Sequence, residues 1–279
     1  MKWQRGYRSS NVEDRRGRGG GRLPGGRLGL GGLVILLVLS IVFKRDFLSL
    51  AGGLAGDPAA PGLEAPVSTP AEDSTVQFVS FVLDDAQQSW AAIFSASGAP
   101  YTDARLVLFR DGVQSACGYA QSATGPFYCP GDGQVYIDLG FYDELRDRFG
   151  APGDFAQAYV LAHEIGHHIQ RLLGTEAEVR RAQQRDPARA NQYSVALELQ
   201  ADCYAGVWAS SAQARGLLEF GDVEEGLDAA AAVGDDRIQR MGGGYVNPDA
   251  FTHGSAAQRS AWFRRGFDSG NPTRCAIDR

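Results

Sequence analysis

The stretch from Asp154 to Gly174 constrains the fold most, because it has the pattern of a single amphipathic helix. Its apolar residues recur close to every 3.6 positions. Asp154 can act as the N-cap, and Gly174 can close the helix in a left-handed conformation. Inside the stretch stands the run His163-Glu164-Ile165-Gly166-His167. Residues four apart lie above one another on a helix, so both imidazoles are predicted to share one face.

Two neutral imidazoles on one face, with a carboxylate beside the first, suit a tetrahedral zinc ion that keeps one position for water. His163 and His167 are therefore predicted zinc ligands, and Glu164 is predicted to lie near the water rather than on the metal. The alternative is a pair of histidines with ordinary hydrogen bonds. His168 lies about 100° around the helix from His167, which favours a local contact.

A zinc site with two histidines needs a third protein ligand, and Glu198 is the candidate. It precedes Asp202 by four positions in a predicted helix that starts near Ala188, so the two carboxylates share a face. Asp202 can accept the outer N–H of a ligating histidine and fix its tautomer. A solvated acidic face is the alternative, but apolar neighbours indicate a largely buried helix, where unpaired acids are costly. These neighbours are Val195, Leu199, Ala201, Ala205 and Trp208.

Basic residues are concentrated at the start of the chain. The formal net charge is −6, yet Lys and Arg greatly outnumber acids in residues 1–27, so the remainder is strongly acidic. That balance argues against nucleic acid as a partner of the folded part.

An uncharged apolar run follows from Leu28 to Phe43 and ends at Lys44-Arg45. As a helix it would span about 24 Å, against a hydrocarbon core of about 30 Å. Lys44 and Arg45 can extend to the interface, and apolar residues up to 50 can lengthen the span. We expect one uncleaved transmembrane helix at 28–50. A cleaved signal peptide and a buried core helix are the alternatives.

This anchor predicts the location of the protein. The basic flank would keep the N-terminus in the cytoplasm, and the rest of the chain would lie on the periplasmic side of a bacterial inner membrane. The cysteine content agrees, since an even number in an oxidising compartment favours disulfides. Of the three pairings possible for four cysteines, we expect Cys117–Cys129, closing a hairpin-like segment, and Cys203–Cys275, tying the tail to a helix. Buried free thiols are the alternative.

The domain organisation follows from these segments. Residues 1–27, rich in Arg and Gly, are predicted to be a disordered cytoplasmic tail. After the anchor at 28–50, residues 51–73 are rich in Gly, Pro and Ala and read as a linker. The folded domain is predicted to cover residues 74–279.

Helices dominate the pattern of this domain, with strands predicted at 106–109 and 135–139. The fold class is therefore α+β, mainly helical, with a small β-sheet or hairpin. If 135–139 were an exposed edge near the metal, it could pair with an extended peptide. An ordinary sheet strand is the alternative.

These segments together resemble the bacterial family of membrane-anchored neutral zinc metallopeptidases. They are similar, more distantly, to the gluzincins, whose zinc is held by two histidines and a glutamate. The resemblance covers most of the chain outside the linker. It runs through Lys2-Trp3, Ser10 to Gly17, Gly125 to Pro130, His163 to His167, Glu198 to Gly206, Phe251 to Gly254, Gln258-Arg259 and Trp262-Phe263.

The resemblance implies a zincin-like domain with a Zn²⁺ cofactor and a peptide or protein substrate. It implies His163, His167 and Glu198 as ligands, Glu164 as general base and Asp202 as the partner of a ligating histidine. No oligomeric state and no particular substrate follow from it.

The segment with His253 and Arg259 is similar to a His/Arg pair that faces the developing oxyanion in related peptidases. Here Gly254 follows the histidine where the relatives often have proline. A structural hydrogen bond at the start of a helix is the alternative for His253.

The expected function is hydrolysis of peptide bonds by a zinc-activated water, with Glu164 as the base that takes its proton. The main alternative is a zinc-stabilised, membrane-anchored binding or scaffolding protein that cleaves nothing physiological. A metal-independent membrane adaptor is the third possibility.

Overall fold

The computed structural model describes residues 1–17 and 69–277 of the chain. In this part the strands are β1 (Val12–Asp14), β2 (Arg105–Phe109), β3 (Gly112–Ser115), β4 (Gly118–Gln121), β5 (Phe127–Cys129) and β6 (Gln134–Asp138). The helices are α1 (Pro70–Ala96), α2 (Gly140–Asp147), α3 (Asp154–Leu172), α4 (Thr175–Arg185), α5 (Ala190–Ala214), α6 (Asp222–Ala232), α7 (Asp235–Met241) and α8 (Ala256–Ser269). The expectation of a mainly helical α+β fold with small sheets is confirmed.

The larger sheet has four strands in the order β1-β2-β6-β5. β1, β2 and β6 are parallel, and β5 pairs antiparallel with β6. Side chains of β2 alternate between two apolar clusters, because successive residues of a strand point to opposite faces. Leu106 and Leu108 join the main core, whereas Val107 and Phe109 join a smaller cluster with Val113 of the β3–β4 hairpin. The strand predicted at 135–139 is therefore an interior strand, and the edge strands of this sheet are β1 and β5.

The main core lies among this sheet, α1, α3 and α5. Phe155 of α3 stacks on Trp208 of α5, with ring centroids 5.8 Å apart. α3 is buried along most of its length, as its apolar period predicts. Its start differs from the prediction: Gly153 occupies the N-cap position and Asp154 is the first helical residue. Gly174 has the predicted left-handed conformation, with φ of 76°.

Two glycines let α5 approach its neighbours closely. A Cβ at Gly166 of α3 would lie 2.9 Å from the Cα of Ala201 on α5. A Cβ at Gly206 of α5 would lie 2.1 Å from the carbonyl oxygen of Phe263 on α8. Both distances are shorter than any side chain tolerates, so the helices meet almost backbone to backbone. The histidines of α3 are thereby brought close to the acids of α5.

Residues 1–16 belong to the same folded unit as the helical domain, and for them the prediction of a disordered tail over residues 1–27 is wrong. The N–H of Leu106 donates to the carbonyl of Asn11 (2.8 Å), which adds β1 to the sheet. Tyr7 and Ser9 both donate hydroxyl hydrogen bonds to Asp84 of α1 (2.9 and 2.7 Å). The Arg- and Gly-rich composition of residues 1–27 suggests a coil and does not indicate these hydrogen bonds.

The boundary predicted at residue 74 is also too late. α1 begins at Pro70, and Thr69 forms a capping box with Glu72. The first turn of this helix therefore lies inside the predicted linker. The reason is that the cap and the helix-compatible Pro at N1 occur within a stretch whose composition suggests a coil.

The anchor predicted at 28–50 lies outside the described residues. Within residues 1–17 and 69–277, none of the helices combines the length and the apolarity needed to cross a membrane. Both predicted disulfides are present, Cys117–Cys129 and Cys203–Cys275.

Candidate metal centre and active site

The three predicted ligands meet at one point between α3 and α5. Nε2 of His163 lies 3.2 Å from one carboxylate oxygen of Glu198, and Nε2 of His167 lies 3.5 Å from the other. One potential ligand atom from each residue lies within 4.8 Å of the other two. The two imidazoles are one helical turn apart on α3, as the spacing predicts.

A cavity of about 740 Å³ reaches this cluster. The side chains of His167 and Glu198 are 20% and 19% exposed, whereas that of His163 is only 8% exposed. A bound ion would therefore be reachable from the cavity and enclosed on its other sides. Apolar side chains form part of the cavity wall, namely Pro126, Phe127, Phe141, Phe149, Val160 and Leu197.

Asp202 holds the outer nitrogen of the first histidine. The Nδ1–H of His163 donates to Asp202 Oδ1 at 2.8 Å, because a carboxylate can only accept. The hydroxyl of Tyr159 donates to the same oxygen. Asp202 is completely buried, and His163 is left with Nε2 directed to Glu198. This is the role that the sequence predicts for Asp202.

Arg259 neutralises Asp202 from α8. Its Nε and Nη2 groups donate to the two carboxylate oxygens at 2.8 and 2.9 Å, and Nη2 also donates to Tyr159 (3.2 Å). The side chain is 5% exposed. The structure therefore places Arg259 as a partner of Asp202 beside His163. Arg259 also lines the cavity, and the oxyanion contact that the resemblance implies stays a prediction. The fork-like pairing with Asp202 explains how a carboxylate can be fully buried here.

Glu164 lines the cavity beside the ligands. Burial raises the pKa of its carboxyl group, and the nearby histidines oppose that rise. Among residues 1–17 and 69–277, its carboxylate has no hydrogen-bond donor. An unengaged carboxylate of raised pKa is suited to exchanging protons with a water molecule or substrate.

The charges around the cluster fit a divalent cation. Three carboxylates, those of Glu164, Glu198 and Asp202, face a single buried guanidinium, that of Arg259. Burial lowers the pKa of His163, but the carboxylates of Asp202 and Glu198 outweigh it and raise that pKa to about 9. Burial also disfavours the charged form of His167, but the carboxylate of Glu198 outweighs burial and raises the pKa of His167. The negative charge that favours protonation of these imidazoles would equally attract a metal ion in place of the protons.

Comparison with known proteins agrees with this chemistry. The sequence model of a family described as "Putative neutral zinc metallopeptidase" matches residues 1–277. The chain belongs to this family. Zinc is accordingly the cofactor implied for the site, and its donor set of two imidazoles and a carboxylate is one that zinc prefers.

Two relatives of the chain are described only as uncharacterised proteins. The protein YpfJ of Escherichia coli strain K12 is 49% identical, over 99% of this chain and 98% of its own length. The protein Rv2575 of Mycobacterium tuberculosis strain H37Rv is 42% identical, over 78% of this chain and 77% of its own. No solved structure matches the chain.

His253 also lines the cavity of this family member, and its side chain is 51% exposed. Its Nδ1–H lies 3.1 Å from Asp235 Oδ1, and its backbone N–H donates to Asp235 Oδ2 at 2.7 Å. The hydrogen bond with Asp235 raises the pKa of His253, and burial only partly offsets it. This contact favours the cationic form of His253 at the cavity, and among the described residues His253 makes no direct contact with Arg259.

Sequence reasoning missed several residues that support the site. Tyr159 lies four positions before His163, a spacing that could have revealed it. Gln170 lies three positions after His167 and could have been found in the same way. Asp235 gave no comparable signal, because its contact with His253 joins residues 18 positions apart.

Proposed function

We propose that the protein is a zinc-dependent peptidase that hydrolyses peptide bonds in a peptide or protein substrate. One observation carries this proposal: His163, His167 and Glu198 converge on the wall of a large cavity, with the unengaged carboxylate of Glu164 beside them. A zinc site that only stabilised the fold would be closed to solvent. The exposure of His167 and Glu198 instead favours an open coordination position.

His163, His167 and Glu198 would hold the ion, which when bound supplies a Lewis acid that acidifies water and polarises a carbonyl. Glu164 then takes a proton from the attacking water and delivers it to the leaving amine. Burial raises the pKa of Glu164, which favours the first of these transfers, the uptake of the proton from water. His253, whose pKa is raised by Asp235, is suited to donate a hydrogen bond to the developing oxyanion.

The edge strand β5 supports a binding mode for the substrate backbone. Phe127 and Tyr128 of β5 both line the cavity, and β5 is the terminal strand of its sheet. An extended peptide can add to such an edge through main-chain hydrogen bonds. We propose that the substrate lies along β5 in this way.

Glu164→Gln tests the proposed chemistry. We expect bound zinc to be retained and turnover to fall by a factor on the order of 10² to 10⁴, because general acid–base catalysis typically contributes that much. Peptides released from a cell-envelope extract are compared by mass spectrometry for the wild type and the variant. Glu144→Gln is a matched control, since Glu144 lines the same cavity but is 47% exposed. Equal cleavage by wild type and Glu164→Gln would refute the mechanism.

We also propose an extracytoplasmic location for the folded domain. Its two disulfides, Cys117–Cys129 and Cys203–Cys275, are favoured in an oxidising compartment. Residues 1–16 form one folded unit with the domain, so we propose that both lie on the same side of the membrane. This proposal differs from the predicted single-pass arrangement with a cytoplasmic N-terminus, in which a crossing between residues 17 and 69 would separate them.

Labelling of introduced cysteines tests this location. Ser10→Cys and Asp268→Cys both place a thiol at an exposed position. We expect a membrane-impermeant maleimide to label both in intact spheroplasts. Labelling of Asp268→Cys alone, with Ser10→Cys labelled only after lysis, would show that the two segments are separated.

A further inference from the structure

The second histidine, His167, is supported by a buried glutamine of its own helix. Its Nδ1 lies 2.9 Å from Oε1 of Gln170. The Gln170 side-chain amide also donates to the carbonyl of Leu197 (2.7 Å) and to Oε1 of Gln200 (3.2 Å), both on α5. Gln170 is 1% exposed, so these protein groups replace water around its amide.

The direction of these hydrogen bonds is fixed by a backbone carbonyl. The oxygen of Leu197 can only accept, so the NH₂ group of Gln170 must face it. Oε1 of Gln170 then faces His167, and the hydrogen must be on Nδ1 of the imidazole. Nε2 is left to point at Glu198. A flipped amide would set oxygen against oxygen at two contacts, so the orientation has no low-energy alternative.

A second buried glutamine continues the chain of hydrogen bonds to the C-terminal tail. The NH₂ group of Gln200 donates to the carbonyl of Cys275 at 2.9 Å, which can again only accept. Oε1 of Gln200 is thereby directed at Gln170. Cys275 is fully buried and bonded to Cys203, which lies on α5 close to Gln200. The disulfide thus holds in place the carbonyl that orients Gln200, whose oxygen in turn accepts from Gln170.

We propose that Gln170 is a positioning residue for His167, and that Gln200 and the Cys203–Cys275 disulfide fix its amide from the tail. This inference deepens the proposed function, since it depends on His167 being a zinc ligand. The outer N–H of a metal-binding histidine commonly has such a partner, whose loss costs about 10- to 100-fold in metal affinity. Here the partner is neutral and is oriented by a segment far away in the sequence.

The test uses the full-length protein and two readouts. The first is hydrogen exchange of the His167 Nδ1 proton, followed by NMR in the metal-free protein. The second is zinc affinity, measured by competition with a chelator. In Gln170→Met we expect faster exchange of this proton and an affinity about 10- to 100-fold lower.

Gln200→Met leaves the acceptor on Gln170 but removes a partner that orients it. We therefore expect a smaller increase in the exchange rate and a smaller decrease in zinc affinity than in Gln170→Met. Replacement of Cys203 and Cys275 by alanine should act in the same direction as Gln200→Met. Gln87→Met is the matched control. Gln87 is also buried (3% exposed), but its oxygen accepts from the backbone of Ala104, away from the metal cluster.

The outcomes separate this inference from the proposed function. If Gln170→Met folds and neither exchange nor zinc affinity changes, the positioning role is wrong. If Gln170→Met does not fold, unchanged readouts in Gln200→Met and in the double alanine variant overturn the inference. If Gln87→Met lowers zinc affinity equally, the effect is one of general stability and the inference also fails. If the wild type binds no zinc, the proposed function fails. The exchange rate of the His167 Nδ1 proton then still tests whether His167 donates a hydrogen bond to Gln170.

Discussion

The two histidines of the metal motif have different supports. His163 donates to Asp202, a fully buried carboxylate that is neutralised by Arg259 and bonded by Tyr159. His167 donates to Gln170, a neutral amide. One support therefore carries charge into the core and the other does not. A carboxylate increases the electron density on the imidazole and so strengthens it as a ligand, whereas an amide mainly fixes its orientation.

The electrostatic consequences follow the same division. The carboxylate of Asp202 contributes directly to raising the pKa of His163 to about 9, against the effect of burial. The raised pKa of His167 results from Glu198, against burial, and not from its amide partner. Loss of the charged support should therefore cost more than loss of the neutral one. Three predictions test this comparison.

Asp202→Asn should have the largest effect. It leaves the guanidinium of Arg259 buried without its counter-charge, which typically destabilises a protein by about 3–5 kcal/mol. Urea unfolding of the metal-free protein measures this loss. The double replacement Asp202→Leu with Arg259→Met removes both charges and should recover much of the stability but not the zinc affinity. A loss no greater than that of Gln170→Met would contradict the comparison.

The second prediction concerns pH. The folded-state pKa of His163, about 9, exceeds the unfolded value of about 6.5. Its contribution to the stability of the metal-free protein is fully present below the unfolded value and is lost as pH rises through the folded one. The size is on the order of 3 kcal/mol, because one pKa unit corresponds to about 1.4 kcal/mol. Unfolding by urea at several pH values between 6 and 10 measures it.

The same titration with Asp202→Asn sharpens this result, since the pH-dependent loss should then be smaller. In the zinc-loaded protein it should disappear, because zinc replaces the proton on His163. A metal-free protein whose stability does not fall across this pH range would contradict the raised pKa.

Tyr159→Phe should have the smallest effect. It removes one of the hydrogen bonds to Asp202 and leaves the bonds from Arg259 and His163. We expect a loss of about 1 kcal/mol in stability. Tyr142→Phe is the control, because the hydroxyl of Tyr142 is buried without a partner among the described residues. Removing that hydroxyl should cost nothing or stabilise the protein, and equal losses in both variants would refute a specific role for Tyr159.

The local part of the site could be predicted from the sequence because it depends on helical periodicity. The histidine spacing in α3 and the acid spacing in α5 both place groups on one face, wherever the helices lie. The capping residue of α3 was misplaced by one position, because Gly153 provides the unusual backbone angle (φ 122°) and Glu225 of α6 accepts the N–H of Phe155. That acceptor is far away in the sequence and gives no local signal.

The folded structure of residues 1–16 could not be predicted for a related reason. Their composition suggests a solvated tail, yet β1 completes the sheet next to β2, a strand that follows about 90 residues later. The contact between Arg259 and Asp202 could not be predicted for the same reason. The place of Arg259 in the sequence is compatible with an oxyanion contact, and only the packing of α8 on α5, made possible by the contact at Gly206, sets it against Asp202.

The sequence by itself determined which ligand types stand one helical turn apart and that two helices carry the chemistry. The tertiary structure decided which cysteines pair, which of the two histidines Asp202 supports, that Gln170 supports His167, and that Asp235 holds His253. The physical reason is the distance along the sequence between the residues that interact. Periodicity orders groups within one helix, whereas these supports depend on how closely α3, α5 and α8 pack, which Gly166 and Gly206 permit.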